Sequence, residues 1–120
     1  MTATTNTGPA FACDLTRLSA ADRERLIAIC RDVFAQASQV RTLPDGYAIG
    51  FEDASPELVT RAGEFIALDR QCCGFLRHEL LSEPDGGTIW LRLTGAPGAK
   101  ELIRTDLLGM VPPQIRDQVT

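Results

Sequence analysis

The stretch Arg70-Gln71-Cys72-Cys73-Gly74-Phe75-Leu76-Arg77-His78 brings two adjacent thiols, two arginines and the chain's one histidine into nine residues. Thiolates are soft ligands that select thiophilic ions, and they are also the nucleophiles of thiol chemistry. Cys72 and Cys73 are therefore candidates for a metal site or for a redox or catalytic centre. Joined by Cys13 they would form a three-sulfur set suited to an ion such as mercury, and joined by His78 they would offer zinc a nitrogen ligand. Adjacent cysteines do not match the C-x₂₋₄-C spacing of structural zinc modules.

The electrostatics of the pair cut both ways. Carbonyls at a helix C-terminus present partial negative charge, which raises a thiol's pKa, while Arg70 and Arg77 flank the pair and would lower it if they folded back. Neighbouring helical residues point about 100° apart, so one of the two thiols is expected in a buried stripe and the other within reach of solvent. A bond between Cys72 and Cys73 would need a backbone that a regular helix does not supply. Sulfurs within about 4 Å of one another around an accessible pocket would favour a shared ion, since Zn–S bonds are about 2.3 Å.

The remaining candidates have plainer readings beside them. Cys30 falls on an apolar helical stripe, where cysteine acts as a small hydrophobe. Cys13 shares an alternating pattern with Phe11 and Leu15, so it is either buried or a third thiolate; its local sequence leaves both open. His78 alternates with Leu76 and Leu80, as a buried, hydrogen-bonded strand residue would. Trp90 and Tyr47 read as sheet or core aromatics. No Ser-His-Asp order, glycine-rich phosphate loop or H-E-x-x-H is present.

The elements that must position these residues follow from periodicity and punctuation. Phe11–Leu15 reads as a short strand. Ser19 caps a helix expected from Ala20 to Ala37, with Leu26, Ile29 or Cys30, Val33 and Ala37 at helical spacing. Val40–Leu43 and Tyr47–Phe51 flank Pro44-Asp45-Gly46 and read as a hairpin, the glycine accepting a positive φ. Ser55-Pro56 opens a second helix, whose stripe Leu58, Ala62, Phe65, Asp69, Cys72 runs into the cysteine pair. Gly74 is expected to stop it in the left-handed conformation. A second hairpin spans 75–82 and 88–94 around Pro84-Asp85-Gly86-Gly87, and a short helix follows Pro97 and ends at Gly109.

The expected fold is α+β: a single domain with an antiparallel sheet of about five strands, helices mainly on one face, in the order β-α-β-β-α-β-β-α. Residues 1–10 read as a flexible tail, 11–109 as the domain, and 110–120 as an irregular tail. The two hairpins also align at an offset of 40 residues, "LPDGYAIGF" with "EPDGGTIWL", which puts Asp32 and Val33 where the second unit has Cys72 and Cys73. The scaffold alone does not require the thiols.

Composition narrows the function classes. Apolar residues make up 44% and charged residues 23% of 120 residues, and no run approaches the ~20 apolar residues that span a bilayer. The N-terminus has neither a basic nor an apolar signal segment, so the cytoplasm is the expected compartment. There thiols are held reduced, which makes the four cysteines candidates for burial, metal binding or redox work rather than a disulfide framework. A net charge of −4 and a pI near 4.9 argue against a nucleic-acid footprint. The expected partners are a small ion or small molecule, with no nucleic acid and no membrane; an open sheet edge would allow a homodimer.

Three segments, "LPDGYAIGF", "FIALDRQCCGFLRHEL" and "PDGGTIWLRLTGAPGAKE", resemble a largely uncharacterised family of small bacterial proteins with an E/D-R-x-C-C-P-F-L/F motif followed by WLRLTG-x-x-GAKEF. The resemblance covers about residues 11 to 108. It implies that Cys13, matching a cysteine of the family's first strand, shares one site with Cys72 and Cys73. It also implies a link to mercury or other thiophilic metals. Gly74 stands where the family has proline, and His78 where it often has an apolar residue, so no role for His78 follows from it.

The leading expectation is a cytoplasmic protein binding a soft metal or metalloid through Cys72, Cys73 and Cys13, with Arg70, Arg77 and His78 in support. The alternatives are a thiol-dependent redox protein or enzyme with Cys72 or Cys73 as nucleophile, and an interaction module with structural cysteines.

Overall fold

The computed structural model describes residues 13–117. Ser19 accepts from the Asp22 amide at 3.1 Å and starts α1 (Ala20–Ala35), which buries Leu26, Ile29, Cys30, Val33 and Phe34. Ser55 accepts from the Leu58 amide at 3.1 Å, Pro56 occupies the first turn, and α2 (Pro56–Cys72) buries Leu58, Ala62, Phe65, Leu68, Asp69 and Cys72. In each case the cap satisfies an amide that has no partner within the helix. The helices pack together, with Phe34 edge-on to Phe65 at 5.4 Å and Arg25–Glu64 and Arg61–Asp32 pairing at the surface.

Between and after them lie β1 (Gln39–Leu43), β2 (Gly46–Phe51), β3 (Arg77–Ser82) and β4 (Ile89–Thr94), forming one antiparallel sheet in the order β1-β2-β4-β3. Each hairpin thus supplies one central and one edge strand. Register aligns Val40, Ile49, Leu91 and Leu80 across the sheet, and next to them Thr42, Tyr47, Leu93 and His78. Ile49, Leu91 and Leu93 are fully enclosed in the core they share with α1 and α2. The opposite face carries polar residues, with Arg92 beside Glu79 and Arg41 over the Trp90 ring at 4.5 Å. Period-two alternation is clearest in β4, whereas β2 is buried along its whole length.

Gly46 has a reason for being glycine other than a positive φ. It is the first residue of β2, and a Cβ there would collide with the Leu93 carbonyl oxygen. In the second hairpin the positive φ values fall on Asp85 (58°) and Gly86 (69°).

After β4, Gly98 (φ 103°) precedes α3 (Ala99–Asp106), a 3-10 turn spans Leu108–Met110, and α4 (Pro113–Arg116) packs against β1. The chain beyond Gly109 is therefore not irregular throughout: Val111 is buried in the core and a proline-started turn of helix follows it.

The first strand is also corrected. Phe11 and Ala12 lie outside the described residues, while Cys13 and Asp14 are coil and Leu15–Arg17 is a 3-10 turn. Asp14 explains this, since its Oδ1 accepts from the Thr16 amide at 3.1 Å and thereby caps the turn. A local side-chain bond of this kind competes with strand pairing, and a three-residue alternation is too short to overrule it. The described sheet has four strands, not five.

Candidate functional site

The second helix delivers the site. At its C-terminus the Cys73 amide still donates to the Asp69 carbonyl at 2.7 Å, but Cys73 itself has left the helical region with φ −119° and ψ 55°. Gly74 does not take the left-handed conformation expected of it. The helix is ended instead by Cys73, whose carbonyl accepts from Leu76, and by an incoming segment: the Asp14 amide donates to the Cys72 carbonyl at 2.9 Å. That bond satisfies a carbonyl left over at the helix end and lays Cys13 beside the pair.

Cys13 and Cys73 are joined as a disulfide, with Cα atoms 4.6 Å apart. A disulfide is therefore present where burial, metal binding or redox work was expected rather than a disulfide framework. Cys72 and Cys73 are not bonded to each other; their sulfurs are 3.8 Å apart. The expectation of one reachable thiol in the pair is overturned as well, because Cys72 and Cys73 are both buried, and the half-buried cysteine of the site is Cys13. Leaving the helix is what lets Cys73 turn inward along with its neighbour.

Two further residues belong here that were not selected from the sequence. Asp69 is 4% exposed, and its Oδ2 lies 2.7 Å from Nε2 of His78 on β3. An oxygen of Asp69 and the sulfurs of Cys13 and Cys73 lie within 4.8 Å of one another. The signal was present in the sequence: a carboxylate on an otherwise apolar helical stripe must find a polar partner when buried. Cys30 on α1 lines the same cavity as Cys13, Cys72, Cys73 and Asp69, so all four cysteines of the chain converge on one space of about 300 Å³. Its position on α1's apolar stripe does not reveal that the stripe faces the pair.

The free thiols are held protonated. Burial pushes Cys72 up to about 11, with the nearby Asp69 adding to it, and pushes Cys30 up to about 12, with Asp69 and Cys72 contributing. Low-dielectric surroundings disfavour the thiolate, and a neighbouring negative charge does the same. The arginines do not reverse this. Arg77 is exposed and lies 3.8 Å from Glu79 on its own strand, and Arg70 is an exposed residue beside a separate pocket that His78 also lines. Neither folds back over the sulfurs.

His78 is placed by packing as well as by Asp69. Its side chain is 4% exposed and its ring stands 6.0 Å from that of Phe65, at an interplanar angle of 65°. It is bound to the carboxylate behind the sulfurs rather than directed at the sulfurs themselves.

Among the described residues no helix is long and apolar enough to cross a membrane. No protein-family model, curated protein or solved structure matches this chain.

Proposed function

We propose that the chain binds a thiophilic ion through Cys13 and Cys73 once their disulfide is reduced, with Asp69 as an oxygen donor and Cys72 as a third sulfur at the margin. The observation that carries this is the convergence of the Cys13 and Cys73 sulfurs and the Asp69 carboxylate within 4.8 Å. Two sulfurs bound to one ion at about 2.3 Å each stand no more than about 4.6 Å apart, so reduction and a small separation suffice. A pair of small-molecule thiols reduces the disulfide by exchange, supplying two electrons and two protons and leaving as their own disulfide, and a divalent ion then replaces the two protein thiol protons. A cytoplasmic location, where thiols are kept reduced, suits this reading, and the resemblance of the cysteine-pair stretch to proteins linked with thiophilic metals adds to it.

The test is a titration of the reduced, desalted protein with Hg²⁺ and with Zn²⁺, following thiolate-to-metal absorption. One equivalent should produce an endpoint that is absent from Cys13→Ser/Cys73→Ser and from the oxidised protein. An unchanged endpoint in the double variant would sink the proposal.

A second reading, dithiol–disulfide exchange, is favoured by the disulfide itself. Its attacking sulfur would be that of Cys13, the half-buried cysteine, since Cys72 is held protonated and Cys73 is buried. In reduced protein it requires rapid alkylation of Cys13 near neutral pH and reoxidation by a small disulfide. Slow alkylation of Cys13 removes it.

A further inference from the structure

The cavity in front of the sulfurs is built for more than a bare ion. Besides the cysteines and Asp69 its wall is lined by Leu15, Leu26, Ile27, Leu102, Leu107 and Met110, with Asp106 the one further polar residue, so the sulfurs share a mainly apolar cavity. Two of the three large apolar residues that the described chain leaves exposed, Leu15 (39%) and Ile27 (41%), stand on this wall. Apolar residues left in water at the mouth of one cavity mark a surface that a ligand covers. Apolar cavities of about 150 Å³ already accept benzene. This one is about 300 Å³.

Resting on the ion-binding reading above, we propose that the ligand is an organic derivative of a thiophilic metalloid: a trivalent centre carrying one aryl or alkyl group and two exchangeable oxygen ligands. The two exchangeable positions match the two sulfurs of Cys13 and Cys73, and the organic group lies against the apolar wall. For an arsenic centre the step is R–As(OH)₂ plus two thiols giving R–As(S)₂ plus two waters. Two As–S bonds form, two As–O bonds break, each thiol proton leaves on a water, and arsenic keeps its oxidation state. An inorganic trivalent ion has no group to place on the wall and would instead draw on Cys72, 3.8 Å from Cys73, for its third sulfur.

The probe is phenylarsine oxide, compared with arsenite, on the full chain reduced and desalted under nitrogen. Binding is read by intact mass and by competition with a small dithiol. Wild type should take one phenylarsenic with the loss of two thiols and hold it more tightly than arsenite, while the oxidised protein takes none at this site. Ile27→Glu and Leu102→Glu each place a charge on the wall outside the buried core, and circular dichroism confirms their folding. Each should weaken phenylarsenic binding by about tenfold or more while changing arsenite binding little, because a phenyl group's burial is what they remove. Arsenite bound as tightly as phenylarsine oxide, or wall variants with undiminished phenylarsenic affinity, overturns this inference and leaves ion binding standing. Loss of Hg²⁺, arsenite and phenylarsenic binding alike overturns both.

Discussion

Cys13 and Cys73 are separated by 60 positions in the chain, yet their Cα atoms are 4.6 Å apart and their sulfurs are bonded. The bond ties the segment before α1 to the end of α2. A closed loop of that length is worth about 4 kcal/mol on the chain-entropy estimate. Reduction should therefore lower the melting temperature of wild type by many degrees and leave Cys13→Ser/Cys73→Ser unmoved. Counting thiols in denaturant gives an independent check: two react before reduction, those of Cys30 and Cys72, and four after it.

Asp69 and His78 meet with side chains 5% and 4% exposed. Removing one member leaves the buried polar atom of the other without its partner, at a cost of about 1–3 kcal/mol. His78→Leu should show that loss in urea unfolding. Asp69→Asn, which keeps a hydrogen-bonding oxygen, should lose about 1 kcal/mol. A negligible loss in both variants would mean that packing against Phe65, not the polar contact, holds the histidine.

The pH dependence of stability follows from Cys30, raised from 9.0 to about 12 by burial. A pKa raised on folding means that the native state holds its proton more tightly than the unfolded chain does. Its stabilising contribution is complete below about pH 9 and is lost as pH rises toward 12. Melting temperature measured from pH 7 to 11 should be level and then fall above 9. Cys30→Ala should fall less steeply, and alkylation of native Cys30 should be slow at pH 8.

Gly46→Ala tests the sheet. The added methyl would strike the Leu93 carbonyl, which is backbone and cannot rotate away. Prising β2 from β4 at that point should cost at least about 1–3 kcal/mol, seen as a lower urea midpoint at unchanged slope. Gly63→Ala, where a Cβ meets nothing within 4 Å, should match or exceed wild type because it sits inside α2.

Much of this architecture is legible in the amino-acid order. Ser19 and Ser55-Pro56 announce helix starts through local hydrogen bonding, the turn at Pro44-Asp45-Gly46 announces the hairpin that holds Tyr47–Phe51, and alternation announces Ile89–Thr94; these signals act within a few residues. The same locality explains the miss at Cys13–Leu15, where an aspartate's short-range bond outweighs a brief alternation. Asp69 was visible as an anomaly on an apolar stripe, but its partner is nine residues away on a different element.

Local signals in the amino-acid order suffice for two capped helices, two hairpins and a cysteine pair at a helix end. Which sulfur meets which is set by the packing of distant segments. The side chain of a helical residue has a direction set by its own turn, but its neighbours depend on how α1, α2 and the segment at Cys13 come together, and that depends on burial summed over the whole core. Packing α1 against α2 brought Cys30 to the cavity of Cys72. The bond from Asp14 to the Cys72 carbonyl brought Cys13 to Cys73, and it was their convergence, rather than the adjacency of Cys72 and Cys73, that built the site.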